Sequence, residues 1–100
     1  MYARVTTVHL KVKSMEDAIK MYESSIIPAA KKQPGFKNAF FLTNRNAGKF
    51  VSITIWENID FALENQKSGY YQEQIDKFQE YMVVKPEVEG FTVGAMSIQD

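Results

Sequence analysis

The acids, bases and nucleophiles of this sequence give no sharp catalytic signal. Among its twelve carboxylates, Glu73, Asp76 and Glu80 share one helical face, which Lys77 interrupts and which is expected to be solvated. His9 is the only histidine, so a single imidazole base would have to be this residue. Cysteine is absent, which excludes a disulfide, a thiolate metal site and a thiol nucleophile. The spacings of zinc-protease, phosphate-loop and serine-hydrolase motifs are absent as well. The remaining candidates are tyrosines, asparagines and one tryptophan, which stack on ligands or form hydrogen bonds with them.

Trp56 is the residue best suited to hold a flat ligand. Its indole could stack on an aromatic ring if it faces an internal cavity, or it could simply fill one end of the core against a helix. The candidate ligand-binding residues are Trp56, Asn38, Thr54 and Tyr22. The candidate catalytic residues are Tyr70, Asn65 and His9. For each of them an ordinary structural hydrogen bond is the alternative, and His9 is expected on the outer face of its strand.

The segment Lys49–Glu57 is rich in β-branched residues and predicts a central strand. Alternate side chains of a strand point to opposite faces. One face carries Phe50, Ser52, Thr54 and Trp56, and the other carries Val51, Ile53, Ile55 and Glu57. Because each face is largely apolar, we expect both faces to be covered.

Three further segments are predicted to be strands. In Ala3–Lys13, apolar and polar residues alternate, which places Val8, Leu10 and Val12 on the core face. Phe36–Asn44, with Phe36, Phe40 and Leu42 on one face, forms a hairpin with the central strand through the turn 45–48. Phe91–Ile98 is predicted to be the last strand, after a connection that contains Pro86.

Apolar residues at three- and four-residue spacing predict helices between these strands. The first is expected to start at Ser14, to be kinked at Pro28 and to stop at Pro34-Gly35. Asn58 or Asp60 caps the second, whose inner side is predicted to carry Ile59, Ala62 and Leu63. Gly69 ends it, and a further short helix follows from Tyr70.

The predicted order is β-α-β-β-α-β in one domain spanning residues 1–100. Two right-handed crossovers around a hairpin give an α+β, ferredoxin-like fold, with a four-stranded antiparallel sheet whose first and third strands are central. The helices then cover one face and leave an apolar face open. A contiguous apolar surface of this size is unusual in a monomer, so we expect a homodimer packed through the open sheet face.

Charge and hydropathy limit the possible partners. Twelve basic and twelve acidic residues cancel, and the central strand lacks the glycines of RNA-binding domains of the same topology, so no nucleic acid partner is expected. No apolar run approaches the roughly 20 residues of a membrane span. The N-terminal residues 1–5 lack the features of a signal peptide, and a cytoplasmic location is therefore expected.

Several stretches together resemble the antibiotic biosynthesis monooxygenase (ABM) family of dimeric α+β barrels. They are Lys11-Val12-Lys13 at the end of the first strand, Ile26-Ile27-Pro28, Gln33-Pro34-Gly35-Phe36, Ile53 to Asn58, and Ser68 before an aromatic-rich helix. The most specific of these are Pro-Gly before the second strand and Trp-Glu closing the third. The resemblance covers nearly the whole chain.

The resemblance implies a cofactor-independent monooxygenase that oxidises a small aromatic phenol or quinol in a pocket between the sheet and the helices. The alternative is a non-catalytic homodimer of the same fold that binds a small apolar molecule. Haem-degrading members of the superfamily use Asn, Trp and His at positions that correspond approximately to Val8, Asn65 and Ile75. None of these carries the required side chain, so haem chemistry is disfavoured, and neither a metal nor a cofactor is expected.

Overall fold

Strand β3 (Lys49–Trp56) lies inside an antiparallel sheet, between β2 (Phe36–Asn44) and β1 (Tyr2–His9). In the computed structural model, which describes residues 1–97, strand β4 (Glu87–Thr92) pairs with the other side of β1. The strand order is β2-β3-β1-β4. This order confirms the predicted ferredoxin-like α+β fold with the first and third strands in the middle.

The two faces of β3 have different environments, as the alternation of its residues predicts. Phe50 and Trp56 face the helices and are almost fully buried, with 2% and 1% of their surface exposed. Val51 and Ile53 lie on the other face and are only half-buried. The hydrophobic core therefore lies on the helical side of the sheet, around Val8, Met15, Ala18, Tyr22, Phe50 and Phe78.

Strand β1 is shorter than the predicted segment Ala3–Lys13. Its last ladder pair joins His9 to Lys49, the first residue of β3, so the residues that follow have no strand beside them. Leu10 forms only an isolated bridge to Met82, and a 3₁₀ turn covers Val12–Ser14. Val12, predicted to lie in the core, is instead 58% exposed.

The first helical region begins after this turn and is not a uniform α-helix. It consists of α1 (Met15–Met21), a π-helical turn (Tyr22–Ile26) and α2 (Ile27–Ala30). Ser14 stands at the predicted N-cap position, but its side chain makes no capping hydrogen bond.

Pro28 explains the irregularity, as predicted from its position. Proline lacks the N–H that an α-helix requires there, and its ring would clash with the carbonyl group of Ser24, four residues earlier. The N–H of Ile27 bonds instead to the carbonyl of Tyr22, five residues back, which widens the turn before the proline.

Strand β2 has the predicted bounds, but one of its faces was predicted wrongly. The pairing with β3 shifts by one residue between Phe36 and Asn38, where β2 bulges. A bulge inserts one residue and reverses the alternation of side chains. Phe36 therefore pairs with Trp56 and packs against its ring on the helical side, whereas Phe40 remains on the open face.

Helices α3 (Ile59–Lys67) and α4 (Tyr70–Asp76) form the second helical region. The side chain of Asn58 accepts a hydrogen bond from the N–H of Phe61, at 3.1 Å, which confirms Asn58 as the cap. Gly69 separates the helices with a left-handed φ of 86°, as its sequence position predicts.

The inner side of α3 differs from the prediction. Ile59 and Leu63 are 48% and 41% exposed, whereas Ala62 and Asn65 are buried. The helix turns Asn65 towards the sheet because this side chain hydrogen-bonds to a charged group on β1, described below.

Strand β4 begins earlier than the predicted segment Phe91–Ile98, at Glu87, directly after Pro86. Its pairing with β1 fixes the other end, because Thr92 lies opposite Tyr2, the first residue of β1. Residues 93–97 have no regular secondary structure, and Ile98 lies outside the described residues.

Gly90 lies on β4 directly opposite Arg4. The hydroxyl of Tyr2 occupies the space where a β-carbon at position 90 would stand. Strand β4 therefore accommodates the Tyr2 ring only because this position has no side chain.

No helix within residues 1–97 is long and apolar enough to cross a membrane.

Candidate ligand-binding cavity

A cavity of about 50 Å³ lies between the helical face of the sheet and the two helical regions. Its apolar walls come from β3, the π-turn, α4 and the turn after α4, and they include Ile26, Phe50, Trp56, Ile75 and Phe78. Its polar lining consists of Arg4, Thr6, Tyr22, Ser52, Thr54, Tyr70, Tyr71 and Gln74. Apolar walls with a few convergent polar groups are typical of small-molecule sites.

Trp56 faces this cavity and closes one end of it. Its indole Nε1 donates a hydrogen bond to the Thr54 hydroxyl at 3.0 Å, which fixes the ring against its own strand. The Phe36 ring packs edge-on against the indole, with 5.8 Å between the centroids. The two roles considered for Trp56 are therefore combined, since the ring both fills the core and lines the cavity.

Tyr22 enters the cavity from the π-turn. Its hydroxyl lies 2.8 Å from that of Ser52 on β3, and one of the two donates to the other. Burial raises the pKa of the Tyr22 phenol. This tyrosine is therefore a neutral hydrogen-bonding group that joins the first helical region to the sheet.

Arg4 brings a positive charge to the same cavity from β1. It is 5% exposed, and its Nη2 donates to Asn65 Oδ1 at 2.9 Å. The guanidinium carbon lies 5.1 Å from the centroid of the Trp56 ring and 4.5 Å from that of Tyr71. Burial lowers the pKa of Arg4, but an arginine starts so far above neutral pH that the charge is retained.

Tyr70 is the first residue of α4, and its hydroxyl group is buried. The oxygen has no hydrogen-bond partner among residues 1–97. Burial raises the pKa of the phenol to about 12, so Tyr70 keeps its proton at neutral pH and is a hydrogen-bond donor rather than a base. An unpartnered buried hydroxyl is uncommon in folded proteins and indicates either a missing partner or a functional role.

Tyr71 and Gln74 complete the side of the cavity formed by α4. The Tyr71 hydroxyl lies 3.0 Å from that of Thr6 on β1, and burial raises the pKa of its phenol. Gln74 is 8% exposed and accepts a hydrogen bond from Lys77, which also donates to Ser25 of the π-turn. These contacts hold α4 against the sheet and the first helical region.

The seven candidate residues fall into three groups. Trp56, Thr54, Tyr22 and Tyr70 line the cavity together. Asn65 lies behind it, where it accepts a hydrogen bond from Arg4 and donates one to Gln33 at 3.0 Å.

His9 and Asn38 lie elsewhere. His9 pairs with Lys49 at the end of β1, and the alternation of the strand places its side chain on the open face, as expected. Asn38 follows the β2 bulge and pairs with Ile55, which places it on the open face as well. Within the part of the chain described, no three His, Cys, Asp or Glu residues are grouped so that they could hold a metal ion.

Sequence reasoning missed Arg4, although a signal for it was present. The alternation that places Val8 and Leu10 on the core face, continued backwards, places Thr6 and Arg4 on that face. A charged residue at a core-facing position is rarely buried without a partner, so it marks a candidate polar site.

No family model matches the sequence, and no curated protein matches it. By contrast, 73 chains of solved structures match the fold. One is a monooxygenase from the gene ActVA-Orf6 of Streptomyces coelicolor, in complex with the ligand nanaomycin D. Its TM-score is 0.78 at 12% identity, over 99% of this chain and 92% of that chain.

Two other matches are described as candidate antibiotic biosynthesis monooxygenases. One, from Deinococcus radiodurans, has a TM-score of 0.78 at 14% identity and covers 100% of each chain. The other, from Nitrosomonas europaea, has a TM-score of 0.75 at 16% identity, over 95% of this chain and all of the other. The resemblance found in the sequence is thus confirmed at the level of the fold: this chain has the ferredoxin-like α+β fold of the antibiotic biosynthesis monooxygenases.

Proposed function

We propose that the protein is a cofactor-independent monooxygenase that oxidises a small aromatic phenol or quinol in the central cavity. The main support is the mainly apolar cavity with a buried Tyr70 hydroxyl that has no partner among residues 1–97. Structures of the same fold include a monooxygenase with a bound ligand. Fold alone does not determine function, so the residues of the cavity have to support the chemistry.

The reaction requires little from the protein because the substrate supplies the electrons. A phenol loses its proton, the electron-rich ring forms a carbon–oxygen bond with dioxygen, and loss of water gives the quinone. One oxygen atom of dioxygen enters the product and the other leaves as water. The protein must hold the ring, exclude water and stabilise the developing oxyanion.

Residues of the cavity match these tasks. Trp56 and Phe50 provide apolar surfaces for a ring. Tyr70 remains protonated at neutral pH and is able to donate a hydrogen bond to an oxyanion. No side chain that lines the cavity is a base at neutral pH, so the phenol has to ionise to solvent or water in the cavity.

The free volume of the cavity implies movement when a ring binds. A cavity that holds benzene measures about 150 Å³, three times the space present here. If α4 supplies this space, its contact between Tyr71 and Thr6 has to break, because that contact holds the helix against the sheet.

Oxygen consumption tests the proposal. Purified protein, freed of metals and flavin, is incubated with a panel of monocyclic and bicyclic phenols in an oxygen electrode. Enzyme-dependent uptake is expected, and Tyr70→Phe should lower kcat on the order of 10²-fold, as for the loss of one oxyanion donor. Tyr81→Phe, which alters a tyrosine outside the cavity, serves as the matched control and should leave the rate unchanged.

Binding of the phenols without oxygen uptake would contradict the monooxygenase proposal. It would support the alternative, a non-catalytic homodimer that binds a small molecule.

We also propose that the protein is a homodimer through the open face of its sheet. Phe40 and Leu42 on β2 and Phe91 on β4 point away from the helices and are 48%, 52% and 45% exposed. Between them lie the half-buried Val5, Val51 and Ile53. A second copy related by a twofold axis would cover this apolar surface.

A further inference from the structure

The charge of Arg4 has no counter-charge among the described residues. Ion pairs in residues 1–97 join Arg45 to Glu16 and Lys67 to Glu64, on the surface. Arg4 instead donates to two neutral oxygens, Asn65 Oδ1 at 2.9 Å and the Ala62 carbonyl at 3.5 Å. A guanidinium group has five N–H donors, so most of its donor capacity is unused.

Stacking on aromatic rings compensates this charge only in part. The guanidinium lies over the rings of Trp56 and Tyr71, and cation–π contacts of this kind attract a cation without neutralising it. A buried charge is normally paired with an opposite charge, because removing it from water is costly. Within residues 1–97, no anion therefore compensates the buried charge of Arg4.

Tyr70 adds a second donor to the same cavity. Its buried hydroxyl has no partner among residues 1–97, and it lines the cavity together with Arg4. The cavity thus presents one cationic and one neutral donor between apolar walls. Donors of this kind match an oxygen atom that carries negative charge and is attached to a flat, apolar body.

We propose that the cavity binds its aromatic ligand as a phenolate, with the anionic oxygen held by Arg4 and by the Tyr70 hydroxyl. Arg4 is then the residue that selects ionised over neutral rings. This assignment rests on the proposed function for the phenolic class of the ligand, but it concerns binding and does not require turnover.

The groups around Arg4 do not compete with the ligand for this role. Its titratable neighbours are the phenols of Tyr2, Tyr22, Tyr70 and Tyr71. Burial raises the pKa of the last three, so they stay neutral in the range where an acidic phenol ionises. From α3, the neighbouring groups are the neutral Asn65 side chain and the Ala62 carbonyl.

The test compares two ligands of nearly equal size that differ in charge. 4-Nitrophenol is used at a mildly alkaline pH, at which it is ionised, and 4-nitroaniline is neutral under the same conditions. Binding is followed by quenching of Trp56, the only tryptophan, and by the absorbance of the ligand. The phenolate should bind on the order of 10- to 100-fold more tightly, as expected for hydrogen bonds to a charged group.

Substitutions of Arg4 should remove this preference. Arg4→Met keeps the approximate length of the side chain and should make the two ligands bind equally, whereas Arg4→Lys should restore part of the difference. Arg45→Met, which removes the other arginine, on the surface, is the matched control and should preserve the preference.

Asn65→Asp provides a test that does not depend on removing a buried side chain. A carboxylate in place of Asn65 Oδ1 would neutralise Arg4 internally, and the Gln33 amide would only have to reverse its orientation. This variant should keep or raise the thermal stability while losing the preference for the phenolate.

A further readout needs no variant. The pKa of 4-nitrophenol bound to the wild-type protein, measured by absorbance, should fall below its value in free solution. Equal affinity of the wild-type protein for the two ligands, binding of neither, or a preference that survives Arg4→Met and Asn65→Asp would overturn the proposal. Phenolate selectivity without oxygen uptake would support the phenolate site and refute the monooxygenase. Oxygen uptake without selectivity would support the monooxygenase and refute the phenolate site.

Discussion

Trp56 is a residue on which the core and the cavity both depend. It is 1% exposed and contacts Phe36, Thr54 and Arg4. Trp56→Ala should lower the free energy of unfolding by about 3–5 kcal/mol, because it leaves a large void beneath the helices and removes the surface under the guanidinium. Chemical denaturation followed by far-UV circular dichroism measures this loss.

Trp56→Phe is the matched control, since it retains an aromatic ring and should cost less. A Trp56→Ala protein that unfolds at the same denaturant concentration as the parent would show that the indole has no structural role. Loss of ligand binding in that protein would then report on the cavity alone.

At the scale of single residues, sequence predicted side chains that follow the alternation of their strand and missed those whose burial depends on a partner. Trp56 and Thr54 line the cavity because β3 is regular over its whole length. Asn38 does not, because the bulge before it reverses the faces of β2. Arg4 follows the alternation of β1, but a buried arginine is rare, and Asn65, the partner that makes its burial possible, lies 61 positions away in the chain.

At the scale of the elements, two glycines with a left-handed φ lie at the boundaries of helices and strands. Gly35 precedes β2 with φ at 78°, and Gly69 separates α3 from α4 with φ at 86°. Their surroundings differ, because a β-carbon at position 35 would lie 2.5 Å from that of Phe61, whereas position 69 has nothing within 4 Å. Substitution of Gly69 therefore measures backbone strain alone, whereas substitution of Gly35 adds steric overlap with Phe61.

Gly69→Ala should cost about 1–2 kcal/mol of unfolding free energy, the strain of a left-handed backbone with a β-carbon. Gly35→Ala should cost about 2–5 kcal/mol, because displacement of Phe61 adds to the same strain. Urea denaturation of the two variants measures the difference. Equal losses would mean that α3 moves aside without cost and that the Phe61 contact is loose.

The ends of the elements show where local sequence signals were sufficient. The Pro34-Gly35 pair, the turn 45–48 and Gly69 act on their own backbone, and they were predicted correctly. Strands β1 and β4 end where their neighbours end, opposite Lys49 and Tyr2 respectively. The ends of these two strands are set by pairing in the sheet, and the local sequence at residues 11–13 and 93–97 contains no signal for them.

At the scale of the whole molecule, the open sheet face gives the prediction that concerns assembly. The wild-type protein should sediment as a dimer at micromolar concentration, because association buries Phe40, Leu42 and Phe91. Phe40→Glu should shift it towards the monomer with little change in circular dichroism, since a charge within an apolar interface is desolvated without a partner.

Leu63→Glu is the control for this prediction, because Leu63 is 41% exposed on α3, on the opposite side of the sheet. This variant should remain dimeric. A wild-type protein that sediments as a monomer would contradict the dimer and remove the expected cover of the open face.

The global topology was more predictable than its details. The order of strands and helices follows from alternating and helical periodicities, which are repeated along each element and tolerate local errors. The cavity depends on how side chains from β1, β3, the first helical region and α4 meet, and that convergence was expected only in outline, from the resemblance of the chain to a family.

The close approach of Tyr2 to Gly90 also bears on how this sequence is able to diverge. Any side chain at position 90 would displace the Tyr2 hydroxyl, which reaches from β1 across to β4. Natural variation at the two sites should therefore be correlated: a larger residue at position 90 requires a smaller one at position 2. Among orthologues, the exchange of one without the other would mark proteins in which the outer strand has shifted along its neighbour.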